Sequence, residues 1–397
     1  MENGFTDNRI VDVYLLAGQS NAAGYTPVSG LKKAYTYGGT FDEKKYDEYV
    51  SGYRDILYFG ITATADPLSA NEKLSYVCMG KGHAVTHMGP ELGFAEYMSA
   101  LYGKNSADGR KAMLLKYAVG ATTLGEFKNE VQDNYGNWMS PSMKKAYKGE
   151  KLHEKAGLLY DNLLLTVKLG LRELLENGYT PVIKGMMWIQ GCGDATQDDL
   201  SHTYAENLKT FLCDFRSDLT NLLQSEFAGR VEECDMSAMP VIIGKIGPHL
   251  RNAKYWDVVR DQMQSLTKTM ERVRIAETED CILPDPNDNN DVWHFSAKDS
   301  LSLGRRFGEQ AAQEAGVIPP IFCTVTYDPD NGGEKTVRRT LKWNCAPVIP
   351  DPAKENCVFL GWTLNGQPYD FTQSVGENIT LVARYAPAGT DLSGGKV

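Results

Sequence analysis

Val11-Asp12-Val13-Tyr14-Leu15-Leu16-Ala17-Gly18-Gln19-Ser20-Asn21-Ala22-Ala23-Gly24 opens with a short apolar, β-branched run and then changes character. The run reads as a buried strand rather than a helix. It breaks at Gly18, and one serine follows between two amide side chains, Gln19 and Asn21. The small residues Ala22, Ala23 and Gly24 let a following helix pack closely on the sheet. A strand that ends in a tight glycine turn and delivers one hydroxyl to a helix start is a way to present a nucleophile. The same corner also suits a serine that only caps the helix. On this stretch alone both readings stand.

Further strands are expected over residues 112–119, ending at Gly120, and over 182–189, ending in Gln190-Gly191-Cys192-Gly193-Asp194. Residues 240–246 and 273–276 add two more. Helical periodicity runs through residues 152–177, about 201–226 and about 253–273, and a closing helix reaches about residue 315. Pro90 followed by Glu91 marks another helix start. Strands alternating with long helices give an α/β fold with a parallel sheet covered on both faces. Ligands in such sheets bind beyond the carboxyl ends of the strands. Ser20, Gly120, Gln190 and a loop carrying Asp291 and His294 all fall there. Residues 25–88, rich in Gly, Tyr, Thr, Asp and Lys, read as an extended insertion with short structured pieces that walls the pocket. Within it Tyr35, Tyr37, Tyr46, Tyr53 and Tyr58 offer either a sugar-stacking surface or packing of the loop against the body. Residues 285–290 read as a turn-rich loop.

A chain of 397 residues has room for two domains, and 42% hydrophobic with 23% charged residues is the balance of a globular protein. A net charge of −10 argues against nucleic acid as a partner, since phosphate binding needs a basic face. No apolar run approaches the roughly 20 residues of a membrane span. The first residues lack the basic and apolar regions of a signal peptide, so either the protein works where it is made or an export signal has been removed. The 8 cysteines form no CxxC pair, which supports neither a zinc site nor a dense disulfide framework. Only Cys345 and Cys357, close together, are candidates for a bridge. The 6 histidines show no HExxH-type spacing, so neither a metal nor a cofactor is expected. From residue 321 helical signals give way to alternating strands. This divides the chain into residues 9–318, a β-rich module at 321–386 and a flexible tail at 387–397.

Acyl transfer by serine needs a base for the hydroxyl proton, an acid to orient that base, and donors for the oxyanion. His294 is the candidate base, and Asp291 lies three residues before it. A D-x-x-H spacing carries little information alone; its position just before the last helix gives it weight.

Five ordered blocks resemble the SGNH-type carbohydrate esterases, nearest to the sialate O-acetylesterase and acetylxylan esterase group (carbohydrate esterase family six and relatives). They are Gly18-Gln19-Ser20-Asn21, Gly89-Pro90-Glu91, Lys116-Tyr117-Ala118-Val119-Gly120, Trp188-Ile189-Gln190-Gly191-x-x-Asp194 and Asp291-x-x-His294-Phe295. The resemblance implies a flavodoxin-like three-layer α/β/α fold and metal-free removal of acetyl groups from sugar hydroxyls of sialic acid or xylan-type glycans. It makes Ser20 the nucleophile, His294 the general base and acid, and Asp291 its orienter. The Ser20 and Gly120 N–H groups and the Gln190 side chain would form the oxyanion hole, with Gln19, Asn21, Glu91 and Asp194 in support. Two departures stand out: Ala121 where the family often has a second glycine, and Cys192 where it usually has glutamate. The second motivates an alternative, a surface glycan-binding protein with an impaired esterase site. A lipase-like enzyme ranks lower, because the polar insertion offers no apolar acyl groove.

Val325-Thr326-Tyr327-Asp328, Phe359-x-Gly361-Trp362, Tyr369-Asp370-Phe371 and Asn378-Ile379-Thr380-Leu381-x-Ala383 resemble a Listeria–Bacteroides repeat of the internalin B-repeat type. That implies a small β-rich, grasp-like module, a secreted or cell-surface protein, and glycan or surface contact through the module.

Overall fold

The computed structural model describes residues 10–34, 36–37, 40–41, 43–62, 64, 66–102, 110–149, 151–248, 253–279, 281, 291–316, 322–341, 346–371, 375 and 377–390. The expected loop at 285–290, Tyr35, Cys345 and residues 391–397 of the expected tail lie outside these. Two compact units result, Met1–Leu31 with Glu48–Ile318, and Lys32–Asp47 with Pro319–Val397.

The larger unit is built on β1 (Ile10–Gly18), buried along nearly its whole length. The other sheet strands are β2 (Tyr53–Thr62), β3 (Ser75–Val77), β4 (Lys111–Ala118), β5 (Thr180–Ile189), β6 (Val241–Gly244) and β7 (Val273–Ala276). Their order across the sheet is β7-β6-β5-β1-β4-β2-β3. All neighbours are parallel except the edge strand β3, which runs antiparallel to β2. Without β2 and β3 the order is that of a flavodoxin-like sheet, in which chain direction switches beside β1.

Residues 25–88 are therefore not only an insertion: they contain β2, a 10-residue strand of the main sheet. Its signal is masked in sequence by the charged pair Arg54-Asp55 ahead of the apolar run. Tyr53 and Tyr58 are buried in this strand, so they pack the body and offer no sugar-stacking surface.

Strand pleating sends alternate side chains of β1 to opposite faces. Val11, Val13, Leu15 and Ala17 join one large core with α3 (Leu158–Glu176), α4 (Tyr204–Glu226) and α5 (Trp256–Thr269). In α3, Leu159, Leu163, Val167, Leu171 and Leu174 repeat at helical spacing and are the buried stripe. Each such side chain contributes about 1.5–3 kcal/mol by leaving water. On the other face Tyr14 meets Phe94 edge to face at 5.5 Å, in the layer made by α2 (Glu91–Tyr102) and α6 (Ala297–Glu314). These two helices cross backbone to backbone: a Cβ on Gly304 would lie 2.0 Å from the Pro90 carbonyl oxygen. That contact ties the entry of α2 to the helix that follows His294.

The smaller unit holds a five-stranded sheet of β8 (Phe322–Asp328), β9 (Thr336–Leu341), β10 (Cys357–Leu364), β11 (Gln367–Pro368) and β12 (Ile379–Pro387), in the order β9-β8-β12-β10-β11. Only β8 and β12 pair in parallel. Cys323, Val325, Tyr327, Trp362, Leu381 and Ala383 form its core, with Tyr327 and Trp362 edge to face at 5.0 Å. Cys357 carries a free thiol; its suggested partner Cys345 lies outside the described residues.

Candidate active site

Sheet register brings three expected loops to one level. Gly18 at the end of β1 pairs with Ala118 on one side and Ile189 on the other. Ser20, Gly120 and Gln190 each follow that level by one or two residues. The turn needs glycine at position 18, where φ is +138°. Gln19, not Ser20, occupies the cap position of the four-residue helix α1 (Ser20–Ala23), and it makes no side-chain capping bond. The capping alternative for Ser20 is thereby removed.

His294 lies in the loop ahead of α6. Its Nδ1 is 2.6 Å from Asp291 Oδ2, while Asp291 Oδ1 accepts the backbone N–H groups of Trp293 (2.9 Å) and His294 (3.1 Å). A carboxylate at that distance fixes Nδ1 as the protonated nitrogen and leaves Nε2 to act as a base. Burial pushes the Asp291 carboxyl up, but the imidazole and the two N–H donors outweigh it and hold it below the ordinary range. Asn21, the neighbour of Ser20, grips both sides of His294. Its Nδ2 donates to the Trp293 carbonyl and its Oδ1 accepts the Phe295 N–H, each at 3.1 Å. Thr26 adds a bond to the Phe295 carbonyl at 2.8 Å.

Gln19 Oε1 accepts the N–H groups of Gly191 (2.9 Å), Cys192 (3.0 Å) and Gly193 (3.4 Å), which locks the loop after β5 to the turn that carries Ser20. Glu91 is fully buried; its carboxylate accepts the Gly89 N–H at 2.6 Å and Lys116 Nζ at 3.0 Å. Burial pulls the Lys116 ammonium down, and Glu91 opposes that. The pair fixes the Gly89 turn, which packs against the Gly24 backbone so closely that a Cβ on Gly89 would approach Gly24 Cα to 2.8 Å.

Gln190 requires a correction. It is fully buried, and its two amide hydrogens go to the Thr122 carbonyl (3.0 Å) and Asp194 Oδ2 (2.6 Å). Its Oε1 accepts the Tyr204 hydroxyl at 3.0 Å. Exchanging the amide's nitrogen and oxygen would aim a carbonyl at two acceptors, so this orientation is fixed. No donor is left for an oxyanion; the residue is a brace between the loops after β4 and β5.

Asp194 is the other half of that brace, accepting the Leu124 N–H with both oxygens at 3.1 Å. Burial pushes its carboxyl up to about 6, against the bonds from Gln190 and the Leu124 and Gly125 N–H groups. A raised carboxyl favours the protonated folded state. Its contribution is complete below about pH 4 and is lost as pH rises through about 6. Replacing Asp194 by Asn should therefore flatten the stability profile between pH 4 and 6 by at most about 1.4 kcal/mol per pH unit, as measured by urea unfolding across that range.

Cys192 is buried in the apolar core with a free thiol, and burial raises that thiol to about 12. It is not a nucleophile at neutral pH. The glutamate expected there by resemblance has been replaced by a small core side chain, while the backbone N–H keeps its bond to Gln19.

One residue of this region was not singled out in the sequence. Tyr25 stacks on His294 (ring centroids 5.1 Å apart, 19° between planes) and on His83 (3.9 Å, 17°). Nothing in its spacing announces this; only its place one residue beyond Gly24 hints at it. Among the described residues no group of three or more His, Cys, Asp or Glu is arranged to hold a metal ion, and no helix is long and apolar enough to cross a membrane.

Comparison with known families shows a carboxylic ester hydrolase. The family profile for carbohydrate esterases described as sialic acid-specific acetylesterases matches residues 10–313, and the chain belongs to that family. It is a carbohydrate O-acetylesterase. Residues 324–384 match the Listeria-Bacteroides repeat domain. No curated protein matches the chain. Among solved structures, an Arabidopsis thaliana protein is similar at 17% identity and TM-score 0.47, covering 77% of this chain and 98% of that one. A carbohydrate acetylesterase from Xanthomonas citri is similar at 16% identity and TM-score 0.47, covering 79% and 59%. NanS is similar at 14% identity and TM-score 0.47, covering 78% and 98%.

Proposed function

We propose that the enzyme removes O-acetyl groups from sialic acid or a xylan-type glycan through an acyl-enzyme on Ser20. The observation that carries this is the 2.6 Å Asp291–His294 pair, clamped by the neighbour of Ser20. Ser20 Oγ attacks the acetyl carbonyl as His294 Nε2 takes its proton, and ionised Asp291 stabilises the imidazolium. The N–H groups of Ser20 and Gly120 receive the developing oxyanion. The imidazolium then protonates the departing sugar hydroxyl, and water, activated by the same imidazole, releases acetate.

Acetate release from O-acetylated sialic acid and from acetylated xylan, measured side by side, tests the reading and chooses the sugar. Failure on both, and on a simple activated acetyl ester, would overturn it. Asp291→Asn should lower kcat by about 10²- to 10⁴-fold with little change in KM, because the imidazole loses its fixed tautomer while Ser20 and the oxyanion donors stay.

The family matched and the C-terminal repeat together support action outside the cytosol, with the module contacting a cell surface or glycan. Fractionation that finds the chain in the cytosol alone would exclude this.

A further inference from the structure

Once Gln190 is recognised as a brace, the expected oxyanion site keeps its two backbone donors, while the side chain expected as its third donor is engaged elsewhere. Tyr25 is placed to fill that vacancy. A Cβ built on Gly120 would lie 2.9 Å from the Tyr25 phenol oxygen and 3.2 Å from its Cζ. The hydroxyl therefore sits directly against the Gly120 backbone, at the loop expected to bind the oxyanion, and any larger residue at 120 would displace it. Two imidazoles stack on the ring, His83 and His294. Its hydroxyl edge is the part that lies against Gly120. Among the described residues no hydrogen bond occupies that hydroxyl.

We propose that Tyr25 is a catalytic residue whose phenol O–H donates to the acyl carbonyl oxygen of the substrate beside the Gly120 N–H, in the place the family resemblance gives to Gln190. The proposal rests on the esterase reading above. Tyr25 keeps its proton throughout: it supplies a hydrogen bond that strengthens as the carbonyl oxygen gains charge. Burial raises its phenol above the ordinary value, with nearby Tyr135 adding to the effect, so it remains a donor across the working pH range.

The test is Tyr25→Phe, which keeps both ring stacks and deletes only the donor. The hydrolysis of 4-nitrophenyl acetate should fall about 10- to 100-fold in kcat, with KM within about twofold of the parent. Affinity for phenylboronic acid, which forms a tetrahedral adduct on serine, should fall by a similar factor. The pH–rate profile should keep its shape, since the contact with His294 is retained. A folded Tyr25→Phe variant with parental kcat, or one whose loss is a shifted acid limb, overturns the proposal. Should Tyr25→Phe not fold, Tyr25→His takes its place beside Tyr25→Leu: a clear excess of activity in Tyr25→His supports the donor role, and equal loss in both overturns it. Failure of the esterase reading looks different, because the parent protein would then itself release no acetate.

Discussion

Ser20→Ala should lower kcat for any acetyl ester by about 10⁴- to 10⁶-fold while the protein stays folded, if Ser20 is the nucleophile proposed above. The substitution removes a single oxygen from a residue that is only 7% exposed and does not occupy the cap position, so the scaffold loses almost nothing. On the proposed route, what disappears is the atom that bonds to the acyl carbon. The residual rate, supplied by the backbone N–H donors and His294 acting on water, marks what binding alone achieves. Initial rates with 4-nitrophenyl acetate, read with far-ultraviolet circular dichroism and the thermal midpoint, check this. A well-folded variant retaining a tenth of parental activity would move the nucleophile elsewhere.

The second large effect is on stability. Gly18→Ala places a Cβ 2.0 Å from the carbonyl oxygen and 2.5 Å from the carbonyl carbon of Ile189, at a φ of +138° that side chains rarely adopt. The obstructed group is backbone, and that same carbonyl accepts the Gln19 N–H at 2.8 Å. Relief therefore requires opening the β1–β5 junction in the middle of the sheet. We expect destabilisation of about 3 kcal/mol or more, or failure to accumulate as soluble protein. A urea midpoint equal to that of the parent would show that the turn has freedom the structure does not display.

Much of this architecture is legible in the sequence, for identifiable reasons. β1, β4 and β5 are buried on both faces, so they appear as continuous apolar runs that stop at glycine or amide residues. α3 and α4 carry one apolar stripe each, and their period shows. β2 escapes because Arg54 and Asp55 interrupt it and its tyrosines resemble loop residues. The D-x-x-H pair is readable because its two members share one loop and their contact is local. The true office of Gln190 is unreadable, because it depends on where the Thr122 carbonyl and Tyr204 hydroxyl arrive from distant loops. Tyr25 is hidden for the same reason: its stacking on two histidines, His83 and His294, is a property of three loops meeting. Local order is written in the pattern of residues. Convergence of side chains across the sheet is not.

The Asn21 clamp has a consequence in time. Its partners lie 272 and 274 positions further along the chain. At about 5–20 residues per second of synthesis, Ser20 emerges roughly 14 to 55 s before the loop of His294 can be gripped. On the proposed mechanism, a partly made chain carries an inert hydroxyl until the last loop and helix dock, and cannot cleave the acetyl esters around it. Hydrolysis thus begins only when the whole esterase unit has closed, and its appearance during refolding is a clock for the final docking step.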